Sequence, residues 1–91
     1  MTEKQLNTAV FTTKYIIDNL SPVLYVYHEN DGCWQFHGED DVTEEDARLV
    51  SLGEMLEIDK SLAEILNMPE GYEAIRTNKT EKWQIRKTTT L

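Results

Sequence analysis

The chain is expected to fold as an α+β domain, a small antiparallel β-sheet of about four to five strands with two or three short helices packed on it. Three observations predict this class. Runs of β-branched and aromatic residues recur between turn-forming residues. Two segments in the second half carry helix-capping residues followed by apolar side chains at helical spacing. The chain has 91 residues and no repeat or linker, which suits one modest core. The expected organisation is a flexible N-terminus over 1–7, one domain over 8–87 and a flexible tail over 88–91.

The elements follow in chain order. TAVFTTKYII predicts a first strand over 8–16, ended by the turn Asn19-Leu20-Ser21-Pro22. Val23 to His28 is the strongest strand. Its VLYVY run is apolar on both faces, which predicts a central strand with both faces largely covered. Cys33 to Gly38 is its hairpin partner across Glu29-Asn30-Asp31-Gly32, where Asp-Gly supplies the turn. Two registers fit. A two-residue loop pairs Tyr27 with Phe36 and puts His28 and His37 on one face. A three-residue loop with a left-handed Gly32 pairs Val26 with Phe36 and His28 with Trp34, and parts the histidines, because one residue of slip exchanges the faces.

EDDVTEED, residues 39–46, is an acidic loop or a fraying helix start, with Thr43 as N-cap and Asp46 at the third position. Ser51-Leu52-Gly53-Glu54 has capping-box spacing and predicts a helix over 52–57 that buries Leu52, Met55 and Leu56. Asp59 caps a second helix over 60–67 that buries Leu62, Ile65 and Leu66. Pro69 ends it and Glu70-Gly71 turns the chain. Tyr72 to Thr77 and Lys82 to Arg86 close the sheet.

The net charge of −8 is unevenly placed. Residues 1–27 are neutral, residues 28–73 carry −12 and residues 74–91 carry +4. Such a field disfavours nucleic acid, whose binding depends on neutralising phosphates, and disfavours anionic membranes. It favours a basic protein partner and speeds its encounter. The start MTEKQLNTAV has no apolar signal core, and no run reaches membrane-spanning length. The expected setting is therefore the cytoplasm, with the single cysteine reduced. No cofactor is implied, and the oligomeric state is left open.

Two side-chain groups bear on function. His28, Cys33 and His37 fall within ten residues and are the candidates for a small metal-binding or enzymatic domain. Their spacing departs from the paired Cys and His sets of structural zinc sites, and a fourth ligand would have to come from Asp31, Glu39 or Asp40. A cysteine nucleophile needs a nearby base, and Cys33 and His37 lie about 13 Å apart along an extended strand. The second group, Glu39, Asp40, Asp41, Glu44, Glu45 and Asp46, is the candidate partner-binding surface. No catalytic residue is assigned, and the expectation is a non-enzymatic binding domain. A structural or homo-oligomerising domain is the further alternative.

Several segments line up in order: Phe11-Thr12-Thr13-Lys14-Tyr15-Ile16, Ser21-Pro22-Val23-Leu24-Tyr25-Val26-Tyr27, Gly32-Cys33-Trp34-Gln35-Phe36, Gly38-Glu39-Asp40, Leu52-Gly53-Glu54 and Pro69-Glu70-Gly71, with a final Trp83. This pattern, spanning roughly 9–87, resembles a family of small bacterial domains of unassigned function, relatives of which are classed as immunity proteins of bacterial toxin systems. The resemblance implies a compact α+β fold and an immunity-like role in which a basic partner, such as a toxin, is occluded. Most of its matched residues belong to turns and core. Glu39-Asp40 is the matched pair most open to a functional role.

Overall fold

The computed structural model describes residues 3–88. The helical turn α1 (Glu3–Leu6) precedes β1 (Ala9–Thr13), and the short helix α2 (Lys14–Ile17) follows it directly. β2 (Tyr25–His28) and β3 (Trp34–His37) form the hairpin. A 3-10 turn (Glu44–Asp46) leads into β4 (Ala47–Ser51), and then α3 (Leu52–Ile58) and a 3-10 helix (Lys60–Ile65) cross the sheet. β5 (Tyr72–Ile75) and β6 (Gln84–Lys87) complete it. The six strands lie in the order β4-β1-β3-β2-β5-β6. The α+β class is as the sequence predicts, with one or two strands more than expected. The sheet is mixed, not purely antiparallel, because β1 runs parallel to β3.

The first strand is shorter than the β-branched run suggests. Thr13 is the last residue of the ladder, opposite Ala47, and it also caps α2, its hydroxyl accepting the Ile16 N–H. That turn swings Ile16 into the core. Asn19, at φ 61°, then reverses the chain. β4 is a strand the sequence did not announce. It pairs with β1 from Ala9–Ser51 to Thr13–Ala47. The segment 1–7, expected to be flexible, contains α1, and α1 packs close to α3: a Cβ on Gly53 would lie 3.2 Å from the Leu6 carbonyl oxygen. The expected tail beyond Thr88 lies outside the described residues, as do Met1 and Thr2.

Both predicted caps in the second half form. The Ser51 hydroxyl accepts the Glu54 N–H at 3.2 Å. Glu54 returns to that hydroxyl rather than to a backbone N–H. Asp59 accepts the Ser61 N–H at 2.9 Å. Leu52, Met55, Leu62 and Ile65 meet Val10, Val26, Trp34, Phe36 and Ala74 in one core cluster on one side of the sheet. The polar keystone beside it is Arg76. Its Nε donates to the Val23 carbonyl at 3.0 Å, its Nη1 to Ser61 Oγ at 2.9 Å, and its Nη2 to Asp59, while its guanidinium stacks on Trp83 at 4.0 Å. Among the described residues no helix is long and apolar enough to cross a membrane.

Candidate functional site

The hairpin adopts the register that pairs Val26 with Phe36 and His28 with Trp34. Gly32 takes the left-handed conformation this needs, at φ 91°. Alternation then divides the side chains. Val26, His28, Trp34 and Phe36 face the core, and Tyr25, Tyr27, Gln35 and His37 face the other way. The core's demand for Trp34 and Phe36 selects this register, since the alternative would turn one partner of each pair outward.

His28, Cys33 and His37 are therefore not brought together. His28 stacks on Trp34, with ring centres 3.9 Å apart, and its Nδ1 meets the Met68 carbonyl at 2.8 Å. His37 lies on the opposite face, its Nε2 3.0 Å from Gln35 Oε1, and burial pushes its pKa down. Cys33 is exposed at the turn. The Asp31 carboxylate, through its hydrogen bond to the thiol and its charge, pushes the Cys33 pKa up, which keeps the thiol protonated and a poor nucleophile. Among the described residues no three His, Cys, Asp or Glu side chains are placed to hold a metal ion.

The acidic segment separates into two kinds of carboxylate. Asp46 is buried. It accepts the Thr43 N–H at 3.0 Å, pairs with Lys14 at 3.3 Å and takes the Tyr15 hydroxyl at 3.4 Å. The hydrogen bond from Thr43 and the Lys14 charge hold its carboxyl below the usual aspartate value. It anchors the segment and is not presented to a partner. Glu39, Asp40, Asp41, Glu44 and Glu45 are exposed, with Asp40 tied to the Ser21 hydroxyl. Five of the six predicted residues thus remain on the surface.

Beside them lies a face of the sheet for which the VLYVY run predicts cover, and which the helices leave open. The side of the sheet away from the core carries Phe11, Leu49, Tyr25, Tyr27, Gln35 and His37, and none of these belongs to the core cluster. Phe11 is 43% exposed, and its cross-strand partner Leu49 is 62% exposed. Two concavities open on this side, and Phe11 and Gln35 line both. One, of about 180 Å³, runs to Val42 and Thr43 in the acidic segment. The other, of about 610 Å³, is bordered by Glu29 and Asp31. The signal that could have marked this face is the alternation of Phe11, Tyr25 and Tyr27 with core residues, which says that they share a side but not whether it is covered. Comparison with protein-family models, curated proteins and solved structures finds no match to this chain.

Proposed function

We propose that this chain is a non-enzymatic binding domain of the cytoplasm that takes a basic protein partner on its acidic surface. The observation that carries the reading is the cluster of five exposed carboxylates over residues 39–45, held in place by the buried Asp46 anchor. A rigidly anchored segment loses less conformational freedom on binding than a mobile one. Charges of one sign on such a segment steer a cationic partner and set its on-rate. The sequence resemblance to immunity-like domains gives this partner a class: a basic toxin, inhibited by occlusion and not by chemistry. The alternative reading, a centre built on His28, Cys33 and His37, would need side chains that the hairpin register places on opposite faces.

The test separates the segment from the overall charge. One variant converts Glu39, Asp40, Asp41, Glu44 and Glu45 to their amides. A control variant converts Glu3, Asp18, Glu57, Glu64 and Glu70, which are exposed elsewhere and remove the same charge. Association with a soluble arginine-rich peptide is followed by stopped-flow at low and physiological salt. The first variant should lose about tenfold in on-rate and most of the salt dependence, and the control much less. Equal losses in the two variants would mean that net charge alone acts, and the acidic segment would no longer be the site.

A further inference from the structure

We infer that the open side of the sheet, centred on Phe11, Tyr27 and Gln35, is the contact floor for an arginine-bearing segment of a basic polypeptide. This rests on the proposed binding function and gives it a second, apolar component. Three features carry it. First, the face is apolar and aromatic at its centre, with Phe11 and Leu49 paired across β1 and β4 and both exposed. An aromatic centre with a polar rim is the composition of an interface. Second, the rim is acidic on two sides. Glu29 and Asp31 border the larger concavity, and the exposed carboxylates of 39–45 adjoin the smaller one through Val42 and Thr43. Third, the cations near the face are already engaged. Arg86 is paired with Glu73 at 3.3 Å, Lys14 with Asp46, and Arg48 donates to the Glu45 and Ala47 carbonyls. Arg48 keeps its charge on these neutral acceptors, but Glu29, Asp31 and the exposed carboxylates of 39–45 outnumber it, so the charge left for a partner is negative.

Charge complementarity selects the occupant. A second copy would set one acidic rim against another and would gain apolar contact only against repulsion. Nucleic acid and anionic lipid meet the same repulsion. A cationic segment gains on both counts. Arginine fits better than lysine, because its flat guanidinium stacks on a phenyl or phenol ring while its N–H groups reach a carboxylate at the rim. Arg76 on Trp83 shows the same pairing inside this molecule, with the guanidinium on the ring and bonded to Asp59.

The experiment is amide shift mapping of the isotope-labelled protein at low salt. The probes are a peptide alternating arginine with glycine and the same peptide with lysine. The expected result is shifts at Phe11, Tyr27, Gln35 and Leu49 together with 39–45. The arginine peptide should bind about threefold tighter than the lysine peptide, and Phe11→Leu should erase that preference while keeping an apolar side chain. Shifts confined to 39–45 would overturn the floor and leave the acidic segment standing. Absence of any shift would remove the binding function as well. Shifts at Phe11 and Leu49 that grow with protein concentration in the absence of peptide would identify a second copy as the occupant and overturn the basic one.

Discussion

Two buried polar residues differ sharply in what they contribute. Arg76 is 1% exposed at its side chain and has partners for its guanidinium on all sides: the Val23 and Lys79 carbonyls, Ser61, Asp59 and the Trp83 ring. Removing it leaves Asp59 a buried charge without its counter-ion and leaves those acceptors dry. Arg76→Met should cost about 3 kcal/mol, read as a lower urea midpoint with an unchanged slope. Arg76→Lys should recover only part of this, because a point charge cannot span the same acceptors. Thr12 is the opposite case. It is buried on the core side, and its hydroxyl has no hydrogen-bond partner among the described residues. A buried hydroxyl without a partner is desolvated without compensation. Thr12→Val keeps the shape and removes that group, so it should stabilise the fold by about 1 kcal/mol in the same titration.

At the scale of elements, the caps are where the chain's local chemistry is clearest. Ser51 accepts the Glu54 N–H and ends β4 where α3 begins. Ser51→Ala should therefore lower stability by about 1 kcal/mol, and Ser51→Asp should restore it. The difference between the two urea midpoints checks this. Such signals were legible in the sequence because they are local: Ser51, Asp59, Thr43, Gly32 and Gly71 each act within a few residues. The interior position of β2 was legible too, from the VLYVY run, but the cover that this run predicts on both faces forms on one face only. Three features were not. Thr13 looks like one more β-branched strand residue, and only its hydrogen bond to Ile16 N makes it a cap. Ala-Arg-Leu-Val-Ser over 47–51 is a strand through its pairing with β1, not through its own propensity. The parallel β1–β3 neighbourhood depends on α2 and β2 turning the chain between them. The candidate site divides in the same way. The carboxylates of 39–45 are plain in the sequence. The open aromatic face is not, because exposure of one side of a sheet depends on where the helices go.

For the molecule as a whole, two electrostatic effects of opposite sign meet. The net charge of −8 is mostly unpaired surface carboxylate, and self-repulsion of that kind weakens the compact state. Salt should relieve it, so the urea midpoint at neutral pH should rise between low and physiological ionic strength. A midpoint that fell with salt would mean that attractive pairs dominate the surface. Acidification acts through different groups. Burial opposes the Asp59 carboxylate, but hydrogen bonds from Ser61 and Arg76 outweigh it and hold the pKa below the ordinary value of 3.8. Asp46 is held low by Thr43 and Lys14. A carboxyl with a depressed pKa in the folded state contributes stability that is complete above the unfolded value. That contribution is lost as pH falls through the lower, folded value. His37 adds a shallower slope at higher pH, because burial lowers its folded pKa below 6.5 and the unfolded chain takes the proton first. Stability should thus begin to slip below about pH 6.5 and fall steeply below about pH 4. His37→Gln should remove the first limb and leave the second. The second limb should persist in salt, since Asp46 and Asp59 are buried and their hydrogen bonds are little screened. Urea titrations across this pH range at two salt concentrations separate the two effects. An acid limb abolished by salt would place the loss in the exposed carboxylates and not in the Asp46 and Asp59 anchors.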